Sequence, residues 1–449
     1  MNVLVCWPPH IPSYFNAGHH LPVFSISAYL RQLGYCVDAW DIGVLNCTWK
    51  EFGSRIYQGN YELVILVNDY DVVEGLRRAA DYVRGLSLKA TIMTVGRLSY
   101  QNPVFFHQFD LDAIAESGDY EAAATEVIRW IEAGKPESFD AAGVALRSTN
   151  NWKRPSRAGF QLDPEEWVFP GVREIPYPHY EQLYRDDQNK FCGIPQRREL
   201  VVPVARGCPV GCEYCDVPTM QGLRERRVRV ERVMKYIQES VAVVPFEYIA
   251  FYAPTFTLNR KWVLELCRSM VENDIHLPWK CATTTHHLDE ELVEQMAVAG
   301  CVRISVGIET LENDAAAIAL PRAKQSPAAS LDNVAEWCRH YGIELNCFVI
   351  VGLPGTTLEG TRATMQRIAE VGARARPTLY TPYGQMNEAM TEREVSAFNR
   401  HLFVKSASTS NDESLEFLDF IFGDDGYVTP TTEKIPKAIL DQRRFNADT

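Results

Sequence analysis

The sequence has no run of about 18 uninterrupted apolar residues, the length a membrane-crossing helix needs. Its start, MNVLVCWPPH, lacks the basic and then apolar order of an export signal. A cytoplasmic protein with no membrane partner is expected. Basic residues are scarce beside acidic ones: 45 Lys and Arg against 58 Asp and Glu give a net charge of −13. A nucleic-acid binder needs a basic footprint, and none stands out. An acidic surface suits cationic ligands, although solubility alone would also account for it. Internal repeats and low-complexity segments are missing too. Hydrophobic residues at 46% and charged residues at 23% describe an ordinary globular chain, and 449 residues are too many for one ordinary core, so two or three domains are expected.

There are twelve cysteines. Spread along a large chain with no export signal, most should be reduced thiols. Cys6, Cys36, Cys47, Cys192, Cys267, Cys281, Cys301, Cys338 and Cys347 sit singly, several in apolar runs, where a small buried hydrophobe is the expected role. The other three are close together in Cys208-Pro-Val-Gly-Cys212-Glu-Tyr-Cys215. Three thiolates on a loop with Gly207 and Gly211 can converge on one metal centre, and soft sulfur suits an Fe-S cluster or zinc. Zinc normally closes with a fourth ligand at recognisable spacing, and no second CxxC or HxxxH lies nearby. Three ligands would leave one iron of a [4Fe-4S] cluster open.

Apolar strands and amphipathic helices alternate through the first part of the chain. Strands are expected at 3–6, 36–42, 63–67 and 91–95, with helices at 22–33, 72–86 and 121–133. That alternation predicts an α/β fold with a Rossmann-like doubly wound parallel sheet over residues 1–135. Periodicity fades over 136–198, an aromatic-containing folded connector. A second βα series has strands at 200–205, 248–252, 279–284, 302–307, 344–351 and 377–381. Helices at 230–243, 261–272, 289–299, 327–340 and 358–371 separate them. Six βα repeats make a partial barrel over 199–382, whose active residues belong at the C-terminal strand ends. Residues 383–449 read as an irregular tail with a short helix at 415–422.

The CxxxCxxC loop directly after a first barrel strand resembles the radical S-adenosylmethionine (SAM) superfamily, whose motif occupies that place in a (βα)6 barrel. The resemblance implies that Cys208, Cys212 and Cys215 hold a [4Fe-4S] cluster, and that SAM binds the open iron and is cleaved to a 5'-deoxyadenosyl radical. Tyr214 matches a position bordering the adenine, and Gly307-Ile-Glu309-Thr resembles the segment whose carboxylate helps hold SAM. Phe348 and Gly352, in the strand running into Gly-Leu-Pro-Gly355, resemble the motif near the adenine. Alone, a glutamate there would be a solvated helix cap and GLPG only a turn. Strand 2 ends Tyr252-Ala-Pro254-Thr-Phe256, where backbone lines the methionine amino group in the family; the acidic residues common there are missing. Pro8-Pro9, Tyr29-Leu-Arg-Gln-Leu-Gly34 and Ala113-Ile-Ala-Glu-Ser-Gly118 resemble the subclass with a cobalamin-binding-type domain. The Asp-x-His-x-x-Gly signature of base-off cobalamin is absent, so cobalamin is not the expected cofactor, though some members of the superfamily lack that signature too. His10, His19 and His20, near the first strand's exit, are either ligand-facing or ordinary surface and core histidines.

Two uses of the radical are in view, and the modest tail after the last barrel strand favours the first. One is dehydration of an aminoglycoside sugar diol such as paromamine, a small cationic aminosugar, with an NADPH-dependent reductase completing the deoxygenation. The other is cobalamin-dependent methyl transfer. Either implies a flavodoxin- or ferredoxin-type reductant. Candidate bases at strand ends, chosen for position only, are His286, Tyr252, Thr283 and Tyr380, each with a structural role as its alternative.

Overall fold

A segment such as Leu63–Asn68, apolar through five consecutive residues, can lose both faces to water only inside a parallel sheet covered on both sides. The computed structural model, which describes residues 1–8, 20–70, 72–149, 151–185, 198–313, 320, 321, 324 and 327–397, builds two compact units from such segments.

The first unit comprises residues 1–180, 216–223 and 382–407. Its strands are β1 (Asn2–Trp7), β2 (Cys36–Asp41), β3 (Leu63–Asn68), β4 (Thr91–Gly96), β5 (Ala113–Ala115), β6 (Val144–Arg147) and β7 (Trp152–Lys153). They are ordered β2-β1-β3-β4-β5-β6-β7, parallel through β5 and antiparallel thereafter. Helices α1 (Leu21–Gln32), α2 (Trp49–Gly59), α3 (Val73–Leu86), α4 (Arg97–Gln101) and α5 (Tyr120–Glu132) connect them, and α6 (Tyr177–Arg185) follows. The doubly wound sheet expected from the sequence is therefore present. Its unit extends past the expected boundary at 135, because β6 and β7 pair onto its edge. Residues after 382 do not form only an irregular tail either. Tyr383, Met386, Met390 and Val395 pack into the core of this unit with Leu98, Phe105, Phe106 and Phe109. The helix expected at 415–422 lies outside the described residues, as do His10, His19 and Cys192. His20 is buried against Phe24, Tyr177 and Tyr180, with ring centroids 5.4–6.3 Å away, so it is a core histidine.

The second unit holds six parallel strands in sequential order: β8 (Glu199–Pro203), β11 (Tyr248–Tyr252), β12 (Trp279–Thr283), β13 (Cys301–Glu309), β14 (Glu344–Val351) and β15 (Arg374–Leu379). A small antiparallel pair, β9 (Ala205–Arg206) with β10 (Arg226–Arg227), follows β8. The short α7 (Val217–Gln221) lies between β9 and β10 and belongs to the first unit. The outer helices are α8 (Val230–Val241), α9 (Arg260–Glu272), α10 (Glu290–Val298), α11 (Pro327–His340) and α12 (Leu358–Glu370), and α13 (Glu392–Ala397) belongs to the first unit. Right-handed βα connections between sequential parallel strands are what a partial barrel requires. At the N-terminal ends of the strands a buried pair ties β13 to β14: Arg303 Nη2 donates to both Glu344 oxygens at 2.7 and 2.8 Å. All the catalytic ends of the strands therefore face the opposite way, toward the cysteine loop.

Every described cysteine is a free thiol, and six of the singly placed ones are buried as expected; Cys36 is exposed and Cys47 half-buried. Among the described residues no helix is long and apolar enough to cross a membrane.

Candidate active site at the strand tips

The loop leaving β9 turns twice through left-handed backbone, at Gly207 (φ +83°) and Gly211 (φ +71°), which only glycine adopts without strain. Cys208, Cys212 and Cys215 are all half-buried on this loop, and Cys215 N–H donates to the Cys212 carbonyl at 3.1 Å. Among the described residues no group of three or more His, Cys, Asp or Glu side chains is gathered around a single point. Three partly accessible thiols spread over one loop fit the larger [4Fe-4S] core, in which each sulfur holds its own iron.

Beside the loop lies a charged network that sequence spacing did not reveal in full. β13 is irregular against β14: Gly307 pairs with Phe348 and Glu309 with Val349, so one extra residue is accommodated. Glu309 takes φ +64°, a left-handed conformation uncommon for a residue with a side chain. Its carboxylate folds back over Gly307, where a Cβ would stand 2.2 Å from Oε1. Glu309 Oε1 accepts from Tyr214 Oη at 2.9 Å and from Lys324 Nζ at 2.9 Å, and Lys324 also donates to Tyr214 at 3.1 Å. The side chains of Glu309 and Lys324 are 7% and 9% exposed. Burial alone would lower the Lys324 pKa, but Glu309 and the nearby Cys212 and Cys215 outweigh it, and the ammonium is held more firmly than usual. Burial raises the Cys212 thiol, against the pull of the Lys324 charge. Tyr214 is raised by burial and then by Glu309, so it stays a phenol.

Tyr214 and Tyr380 both pack on a small apolar cluster of Leu320, Ile350 and Leu353, which adds a flat apolar wall to the site. Phe348 stands 37% exposed on β14, and Gly352 turns the chain at its end with φ +78°. The structure thus places Tyr214, Glu309, Tyr380 and the cysteine loop together. Lys324, Leu320, Ile350 and Leu353 belong with them and were not foreseen.

The other candidate bases lie at or just beyond the tips of β11 and β12. Tyr252, at the tip of β11, is 36% exposed, and Pro254 is half-buried in the turn after it. Thr283 is buried at the tip of β12. It shares the pleat face of Trp279 and Cys281, all buried, and its hydroxyl is 2.5 Å from Thr257 Oγ1 while accepting from Thr257 N–H. The Thr283 hydroxyl is thus engaged with the turn after β11. His286 is exposed beside His287, ring centroids 4.1 Å apart, and His287 Nδ1 lies 3.2 Å from Thr284 Oγ1. Helix α10 is capped by Asp289, which accepts from Leu292 N–H at 2.8 Å, so the two histidines precede the helix without capping it. Partial burial, then the His287 and Lys324 charges, lower His286 to about 4. It is therefore expected to stay uncharged as pH falls through 5 and to protonate near 4. An NMR titration of its ring carbons checks this, and a midpoint at the ordinary 6.5 would refute it.

Comparison with known proteins agrees with this geometry. Residues 202–368 match the radical SAM superfamily. An uncharacterized methyltransferase of Pyrococcus horikoshii is 28% identical over 232 residues, 49% of this chain, and the match takes in only 47% of that relative's own length. Among solved structures, the radical SAM methyltransferase TsrM of Kitasatospora setae, with cobalamin and a [4Fe-4S] cluster bound, superposes with a TM-score of 0.66 at 17% identity. That match covers 84% of this chain and 72% of TsrM. The cobalamin-dependent SAM radical enzyme OxsB gives 0.65 at 14% identity, covering all of this chain and 61% of OxsB. At such identities it is the fold that is shared. Residues 202–368 of this chain are a radical SAM domain.

Proposed function

We propose that the chain is a radical SAM enzyme that transfers a methyl group to a small molecule. The observation that carries the radical SAM part is the buried Glu309–Lys324–Tyr214 network beside the cysteine loop. Methyl transfer is favoured over the diol dehydration expected from the sequence because the Pyrococcus relative and TsrM are both methyltransferases.

Cys208, Cys212 and Cys215 would hold the cluster, which when bound would supply the electron for reductive cleavage of SAM. The protein's own residues bind and orient. SAM carries an ammonium and a carboxylate on one end, and Glu309 and Lys324 offer the two matching charges side by side, ready to exchange their mutual pair for the ligand's. The wall of Ile350, Leu353, Tyr214 and Tyr380 suits a flat aromatic base. His286, uncharged at neutral pH, is a proton acceptor at the same strand tips.

Cobalamin fits less well at the described tips of the first unit. Arg97, at the start of α4, is ion-paired with Asp216 and lies 3.9 Å from Asp69, and its guanidinium also stacks near Tyr70 and Tyr383. Among the described residues, the ends of β3 and β4 thus carry an Arg97 already engaged by Asp69 and Asp216.

Gly307→Ala tests the network directly. The new methyl would force the Glu309 carboxylate from its place, and SAM affinity is expected to fall about tenfold, the scale of roughly 1.4 kcal/mol. Calorimetry checks it; unchanged affinity would remove the network from SAM binding. The function as a whole is tested by incubating the anaerobically reconstituted protein with methyl-deuterated SAM and a low-potential reductant, with and without cobalamin. S-adenosylhomocysteine together with 5'-deoxyadenosine supports methyl transfer, and its dependence on cobalamin decides the corrin. 5'-Deoxyadenosine alone, with loss of water from added paromamine, would restore the dehydratase. If neither product forms, the radical SAM reading fails.

A further inference from the structure

The mechanism above leaves unused a buried threonine against one of the three cysteines. Thr255, in the turn after β11, is 3% exposed, and its Oγ1 lies 3.5 Å from Cys208 Sγ, within hydrogen-bonding reach of sulfur. Its main chain is clamped as well. Arg227 Nη2 donates to the Thr255 carbonyl at 3.2 Å, and the Arg227 guanidinium is paired with Glu225 and stacked 4.7 Å above the Trp262 ring. The Trp262 indole in turn donates to the Val228 carbonyl at 2.7 Å. Arg227 sits in β10 opposite Ala205, which leads through Gly207 into Cys208. One clamp therefore fixes both the strand that carries Cys208 and the hydroxyl that meets its sulfur. The Arg227 side chain is 6% exposed, and its Nε and Nη1 have no hydrogen-bond partner, so its charge is poorly dissipated.

We propose that Thr255 is a positioning and tuning residue for the cluster, donating a hydrogen bond to the Cys208 thiolate and thereby raising the potential at which the cluster accepts its electron. A thiolate that accepts a hydrogen bond donates less charge to iron, and hydrogen bonds to the sulfurs are among the factors that set cluster potentials. The step concerned is a one-electron reduction of the [4Fe-4S] core by an external low-potential donor, with no bond made or broken. The inference rests on the three cysteines holding the cluster.

The experiment is a potentiometric titration of the anaerobically reconstituted full chain, reduced with titanium(III) citrate and followed by electron paramagnetic resonance, in the wild type, Thr255→Val, Thr255→Ala and Thr255→Ser. With iron content matched, both hydroxyl-less variants are expected to shift the ratio of reduced to oxidised cluster about tenfold toward oxidised at fixed potential. For a one-electron couple that is about 59 mV more negative. Thr255→Ser should stay with the wild type. An unchanged midpoint in the valine and alanine variants overturns the proposal. If those two lose iron while the serine variant keeps it, the hydroxyl acts on the cluster and the proposal stands; loss in all three shows a packing role and overturns it. Failure of the wild type to take up a cluster would instead strike at the proposed function itself.

Discussion

Cys212→Ala is expected to fold yet lose the iron-sulfur centre. Cys212 is half-buried on a loop and contributes no apolar side chain to a core cluster, so the stability cost should stay within about 1 kcal/mol. Its thiolate, however, would be one of only three protein ligands, and ligands of one centre act as a unit. Removing one member of such a unit costs nearly what removing all of them does, so reductive SAM cleavage should fall by roughly 10³-fold or more. Iron and sulfide analysis, the charge-transfer absorbance and 5'-deoxyadenosine formation measure this together, and circular dichroism confirms that the fold survives. A variant with full iron and undiminished cleavage would show that the cluster, if any, lies elsewhere. The same result is expected at Cys208 and Cys215.

The second large effect is expected at Lys324. Its ion pair with Glu309 is nine-tenths buried on both sides, and breaking a buried pair from one side strands a charge away from water. Lys324→Met should therefore destabilise the second unit by about 3 kcal/mol and weaken SAM binding at least tenfold. Combining Lys324→Met with Glu309→Gln leaves neither charge and should restore most of the stability but not SAM affinity. Denaturant melts at neutral pH, with calorimetry for SAM, separate these outcomes. Equal stability of the single variant and the wild type at neutral pH would mean that the pair is solvated in solution.

The strands of both sheets were legible because parallel strands buried on both faces read as short apolar runs ended by glycine or proline. The exception proves instructive: β15 begins at Arg374, three residues before the expected start, because Arg374 and Arg376 interrupt the run. Arg374 approaches Glu344 at 3.9 Å, so the break in hydrophobicity reflects charge pairing, not a loop. Helix α2 was missed because it buries only Phe52 and Ile56, although Thr48 and Glu51 form a capping box whose Thr-x-x-Glu spacing was there to be read. The antiparallel β6 and β7 were too short to show a period. At the site, the cysteines, Tyr214 and Glu309 belong to local motifs and could be found by spacing. Lys324 could not, since it reaches Glu309 from fifteen residues away through a segment with no periodic pattern, and only the fold reveals the pairing. The burial of Thr283 was hidden for a related reason: position at a strand tip says nothing of which pleat face the side chain occupies.

The first unit is closed by a late piece of chain. Tyr383, Met386, Met390 and Val395 enter its core, although the rest of that core is complete in sequence by residue 152. During synthesis the N-terminal sheet must therefore wait for more than 200 further residues before its apolar surface is covered. At about 5–20 residues per second this is a delay of roughly 10–45 s. Through that interval the nascent domain presents an open hydrophobic flank on the ribosome, where a chaperone would be expected to bind. A truncation ending near residue 180 should behave as that intermediate frozen in place, soluble only in a holding partner's company.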